Sequence, residues 1–150
     1  MQVVAGALLQ GGDVLIAERP AGRHLAGRWE FPGGKIATGE TDAEALAREL
    51  HEELGVRIHD PIHLMTLTHD YPDRSVELRL YVVANFDGDA RGLDGQRLKW
   101  VPIADLGAED ILEADRPFIE ALQQRFSTPA GSRARTGSRT RTGSSKLAAP

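Results

Sequence analysis

The chain has 150 residues, 41% hydrophobic and 27% charged, with no cysteine. That make-up suits one compact soluble domain and excludes disulfide frameworks, thiolate zinc sites and cysteine nucleophiles, so any metal must be held by oxygen or imidazole. Five of the 18 basic residues (Arg133, Arg135, Arg139, Arg141 and Lys146) lie in 127–150, leaving an acidic body of 13 basic against 22 acidic groups that argues against non-specific polyanion binding.

Residues 3–9 are apolar, too short a run to span a bilayer and without the basic segment of a signal peptide, so a cytoplasmic location is expected. They read as a strand, joined through a Gly11-Gly12-Asp13 turn to a second strand over 14–18. A loop over 19–39 follows, punctuated by Pro20, Gly22, Gly27, Pro32, Gly33 and Gly34, and loops of that length inside compact domains tend to be functional. Thr41-Asp42-Ala43-Glu44 is a capping box, and Ala43, Leu46, Ala47, Leu50 and Leu54 recur at helical spacing before Gly55. Together they predict a helix over 42–54. Apolar runs at 62–68, 76–86 and 98–101 read as further strands, about five in all. A second helix begins near Asp115, with Pro117 in its first turn and Phe118, Ile119, Leu122 and Phe126 as its buried stripe. Strands flanking two amphipathic helices imply an α/β class with helix, sheet and helix layers. Residues 127–150 are a basic, low-complexity stretch expected to be disordered and to offer nucleic acid at most weak contact. The folded domain is therefore expected over 1–126.

On the first helix Glu49, Glu52 and Glu53 are three and four residues apart and are expected to face one way. Like charges at that spacing cost a few tenths of a kcal/mol per pair unless a cation screens them. Arg48 can pair with Glu52 one turn on. Such a row is either a solvated charged face or a carboxylate-lined cation site. The five histidines, His24, His51, His59, His63 and His69, show no zinc-ligand spacing and suit solvated or hydrogen-bonding roles.

From Gly34 there are five residues to Glu40 and seven more to Arg48, then Arg48-Glu49-Leu50-His51-Glu52-Glu53-Leu54-Gly55-Val56 without a gap. This stretch resembles the Nudix box at every defined position. Glu30-Phe31-Pro32-Gly33-Gly34-Lys35, Tyr71-Pro72-Asp73-Arg74 and the late Trp100 are similar to the MutT-like branch of the Nudix hydrolases, and the likeness covers about residues 2–126. The resemblance implies a Nudix fold, an α/β/α sandwich around a mixed β-sheet. It also implies Mg²⁺-dependent cleavage of nucleoside triphosphates to monophosphate and pyrophosphate, with Mn²⁺ as a substitute ion.

By the same resemblance Gly34, Glu49, Glu52 and Glu53 hold the metal, and Glu40 braces Arg48. The proton-accepting acid is Glu49, Glu52 or Asp94, the last standing where this branch usually has glutamate. Arg19 clamps phosphate, while Phe31, Arg74 and Asp115 surround the base. Asp115 stands where MutT has asparagine, and it is equally well placed as a helix N-cap. An ionised Asp accepts hydrogen bonds only, which suits cytosine N4; a protonated one can donate to a guanine carbonyl. The expected substrate is an oxidised nucleotide such as 8-oxo-dGTP, with CTP or a modified dCTP as the alternative. A nucleotide-sensing domain without catalysis is the alternative of another class. The expected assembly is a monomer or a homodimer.

Overall fold

The computed structural model describes residues 1–126, and the expectation of a disordered tail lies outside the described residues. The central strand is β1 (Gln2–Gln10), which turns through Gly11 and Gly12 into β2 (Asp13–Glu18). Alternation along these strands serves two cores at once. Val4, Leu8 and Leu15 pack with Ala45, Leu46, Leu50 and Leu54 on one face. Ala5, Ala7, Val14 and Ile16 pack with Phe118, Ile119 and Leu122 on the other. The first face is covered by α1 (Asp42–Leu54) and the second by α2 (Arg116–Arg125), giving the expected α/β/α sandwich.

The described residues hold nine strands rather than five. Within 19–39, β3 (Trp29–Glu30) pairs with β2 and β4 (Gly33–Lys35) pairs with β1. Strands of two and three residues are too short to show a period, so that stretch reads as loop in the sequence. For the same reason β5 (Arg57–His59) leaves no sequence signal, while its partner β8 (Asn85–Asp87) is the end of the 76–86 run, which the structure breaks at Ala84 into two strands rather than one. The longer strands follow the apolar runs: β6 (Ile62–Tyr71), β7 (Arg74–Val83) and β9 (Leu98–Pro102). The main sheet runs β3-β2-β1-β7-β6, with β4 also on β1 and β9 also on β2. It is mixed, because β1 and β7 are parallel while the other pairs are antiparallel.

The ends of α1 are fixed as the sequence predicts. The Glu44 amide donates to Thr41 Oγ1 at 3.1 Å and the Thr41 amide to the Glu44 carboxylate at 2.9 Å, a reciprocal capping box. Gly55 closes the helix at φ 75°, a left-handed turn that a side chain would strain, and its amide reaches the His51 carbonyl. Arg79 and Tyr81 of β7 both donate to Asp42 at 2.6 Å, which ties the helix start to the sheet. By contrast, Asp115 precedes α2 without a side-chain cap. Among the described residues no helix is long and apolar enough to cross a membrane.

Candidate active site

The loop before α1 and the helix itself are joined through Arg48. Its guanidinium grips Glu40 with Nε at 2.7 Å and a second nitrogen at 2.9 Å, and donates to Glu49 at 3.0 Å and to the Lys35 carbonyl at 3.1 Å. This bidentate pair, with the Ala37 amide also donating to Glu40, holds the Glu40 carboxyl down at about 2. Arg48 in turn is held firmly protonated by Glu40 and Glu49. The expected Arg48–Glu52 pair exists but is the longest of the set, at 3.4 Å.

The three glutamates do not all face one way. Glu49 keeps 17% of its side chain exposed and Glu52 keeps 58%. Glu53 is half-buried and lines a cavity of about 320 Å³, with Gly33, Gly34, Glu30, Phe31, Asp94 and Asp115 among its walls. Three- and four-residue steps place Glu52 and Glu53 on opposite sides of Glu49, so one turns to solvent and the other inward.

Burial pushes the Glu53 carboxyl up to about 8, with the neighbouring carboxyls of Glu49, Glu30 and Asp94 adding to the effect. Gly34 packs directly on the Glu49 carboxylate: a Cβ there would collide with all three carboxyl atoms. The missing side chain thus lets the backbone and the Glu49 carboxylate share that space, and any Cβ would have to push the carboxylate aside. The resulting donors are all oxygen, which suits a hard divalent cation. Among the described residues no three acidic or histidine side chains close into a complete cage. That openness fits an ion that keeps water and substrate oxygens among its ligands. Glu49, Glu53 and the Gly34 carbonyl therefore fit such an ion, with Glu52 at the rim.

Asp94 reaches this cavity because its loop docks on the end of α1. The amides of Arg91 and Leu93 donate to the carbonyls of Leu54 and Glu53, and Gln96 Nε2 also donates to the Glu53 carbonyl. Among the described residues the Asp94 carboxylate has no hydrogen-bond or ion-pair partner, only its amide being held by Gln96. Arg19 also lines the cavity but is committed, with one nitrogen on Glu30 at 2.7 Å and Nε on the His24 carbonyl at 2.7 Å.

At the far wall Asp115 is buried, and its carboxylate accepts from the Phe31 amide at 3.2 Å. The structure thus spends this side chain on the strand opposite, not on capping its own helix. Burial, with some help from Glu30, pushes its carboxyl up to about 7 against the Phe31 bond. Phe31 meets Phe118 edge-on, at 6.3 Å between ring centroids.

Arg74 is not brought to the cavity. It begins β7 at the far turn of the β6–β7 hairpin, half exposed over the Tyr71 ring. Glu30 and Gln96, on the other hand, line the cavity without having been singled out from the sequence. A two-residue strand and an exposed turn carry no periodic signal that would have found them.

A sequence profile of the NUDIX domain matches residues 4–121, most of the described chain. The chain belongs to the Nudix family. A Mycobacterium tuberculosis protein bearing an 8-oxo-dGTP diphosphatase name is 43% identical over 129 residues, covering 85% of this chain and 92% of that one. The CTP pyrophosphohydrolase of Escherichia coli K12 is 33% identical over 131 residues, 87% of this chain and 97% of its own. Among solved structures, that of the E. coli ORF135 protein superposes with a TM-score of 0.77 at 33% identity, over 86% of this chain and 93% of that one. The helix with its Gly34 approach is thus the Nudix helix, and the cavity beside it is the place to look for Nudix chemistry.

Proposed function

We propose that this Nudix protein is a Mg²⁺-dependent nucleoside triphosphate pyrophosphohydrolase. Water attacks phosphorus, one phosphoanhydride bond breaks, and a nucleoside monophosphate and pyrophosphate leave. The observation that carries this reading is Glu53: a carboxyl sunk into a cavity among other acids, beside a glycine that lets backbone meet carboxylate. Such a seat is costly without a cation and well matched to one that brings phosphate with it. When bound, the ion supplies neutralisation of phosphate oxygens and a more acidic water.

Glu49, Glu53 and Gly34 would hold it, with Glu52 at the edge, and Mn²⁺ suits the same oxygens. Arg48 is pinned by Glu40 and fixes Glu49 in place. Of the acids considered as proton acceptor, Glu52 faces solvent and Glu49 is tied to Arg48. Asp94 lines the same cavity as Glu53 with no hydrogen-bond or ion-pair partner for its carboxylate among the described residues, and it takes the proton.

Phe31 supplies an apolar wall and Asp115 reads the base. The first substrate is an oxidised guanine nucleotide, 8-oxo-dGTP, whose carbonyl can accept from the protonated Asp115. A second reading, CTP or a modified dCTP, is favoured by the same side chain when ionised, since it then accepts from an exocyclic amine. A panel of nucleotides with product identification tests both. Monophosphate and pyrophosphate should form only with the divalent ion, whereas binding without turnover would mark a sensing domain. Because Asp115 titrates near 7, the ratio of kcat/KM for 8-oxo-dGTP over CTP should fall as pH rises from 6 to 8. A flat ratio removes Asp115 from base reading.

A further inference from the structure

Three cationic side chains line the cavity: Arg19, Lys35 and Arg23. Arg19 already has its charge matched by Glu30 and its Nε occupied by the His24 carbonyl. Lys35 belongs to the Glu30–Lys35 run that resembles the MutT-like branch. Arg23 lies outside that run, in the loop between β2 and β3, and its guanidinium makes no hydrogen bond or ion pair with the described residues.

Its backbone is nevertheless well fixed. The Arg23 amide donates to the Pro20 carbonyl at 3.2 Å, and its own carbonyl accepts from Ala26 at 3.1 Å. The next residue's carbonyl is held by Arg19 Nε, and the Gly27 amide closes the loop on the Arg19 carbonyl at 3.0 Å. A long flexible cation is thus mounted on a braced turn at the cavity, with no partner inside the fold. Its field is felt by the carboxyl of Glu30 in the same wall.

The cavity is otherwise rich in acid, with Glu18, Glu30, Glu53, Asp94 and Asp115 all in its lining. A triphosphate entering such a space meets repulsion that one divalent ion relieves only around the oxygens it touches. Guanidinium matches phosphate oxygens two at a time, and an unpaired one need not break an internal bond to do so. We propose that Arg23 grips the terminal phosphates of the substrate, those that leave as pyrophosphate, and so makes the cavity select triphosphates over monophosphates. This rests on the pyrophosphohydrolase reading above and adds the part of the substrate that the loop recognises.

The test uses the full chain with Mg²⁺ and the variants Arg23→Ala and Arg23→Lys. With dGTP as substrate, Arg23→Ala should raise KM about tenfold, the loss of one charge-assisted contact, with a smaller change in kcat. Inhibition by inorganic pyrophosphate should weaken by a similar factor and inhibition by dGMP should not. Arg23→Lys should recover part of both losses. Melting temperature should stay close to the wild-type value, because among the described residues the side chain makes no hydrogen bond or ion pair and only its field reaches Glu30. Unchanged KM and pyrophosphate inhibition would overturn the proposal, as would an equal loss of dGMP inhibition, which would put Arg23 at the nucleoside end. If wild type turns over no triphosphate, the functional reading fails by itself. Calorimetric binding of pyrophosphate with Mg²⁺ to wild type and Arg23→Ala then still decides the role of Arg23: weaker binding to the variant supports it and equal binding sinks it.

Discussion

At one end of the cavity the acids come from a single continuous stretch, Gly34 to Glu53, in which Arg48 ties loop to helix through neighbours no more than 13 residues away. At the other end, Asp115 is fixed by the amide of Phe31, 84 residues away, and is buried where Glu49 and Glu52 keep contact with water. The first end is local, charged and matched to a cation. The second is assembled by the tertiary fold, and a single desolvated carboxyl sets its character. On the proposed roles, the cation-binding part of the site is carried by one segment, while the base-reading part depends on how distant parts meet.

The largest effect should come from the local end. Glu53→Gln keeps the shape but removes the ligand, and Mg²⁺-dependent turnover should drop by about 10²-fold or more. Circular dichroism and melting should show an intact fold, since the change also relieves a carboxyl crowded by other acids. Near-wild-type turnover would take Glu53 out of the metal site and dissolve the contrast between the two ends.

The distant end should respond differently. Asp115→Asn keeps an oxygen for the Phe31 amide and removes the charge. Relative kcat/KM across the nucleotide panel should shift about tenfold or more, while Mg²⁺ dependence stays. Stability should change with a definite sign. In the fold this carboxyl is raised to about 7 from an ordinary value near 4, so the folded protein holds a proton that the unfolded chain releases. Wild type then loses stability as pH climbs from about 4 to 7, and the Asn variant does not. The gain of the variant should be absent below pH 4 and reach about 2–4 kcal/mol above pH 7, read from denaturant melts at both extremes. A constant difference would mean that burial does not control this group.

The smallest effect sharpens the comparison by touching neither end. Thr41→Ala removes one partner of the capping box and should cost about 1 kcal/mol of stability, with kcat per folded molecule unchanged. A fall in kcat would show that the start of the helix is coupled to its acidic turn.

How much of this was legible in the sequence follows the same division. The limits of α1, its capping box and its Gly55 terminus depend on neighbouring residues, and the structure reproduces them. The sandwich was legible because apolar strand runs flank two helices that both carry apolar stripes. The short strands β3, β4 and β5 were not, nor was the break that separates β8 from β7, since their pairing is decided by partners elsewhere in the chain. Spacing alone put Glu52 beside Glu53, but the packing of the helix turned one outward. Arg74 shows the limit of motif likeness: its stretch matched, yet the hairpin carries it away from the cavity. The resemblance brought Phe31 and Asp115 to one pocket, but their hydrogen bond had no signal, because an aspartate before a helix looks like a cap until its side chain is seen elsewhere.

The loop bearing Asp94 spends its amides and the Gln96 side chain on the carbonyls that close α1. Helix terminus and loop are thus clasped together by three hydrogen bonds, which opening either one would break. Slight fraying of that last turn on warming would carry the proposed proton acceptor away while both cores remained closed. If Asp94 has the role proposed, activity would then fade at temperatures where the molecule still looks native, its working range set by a few amides at the clasp and not by the melting of the sandwich.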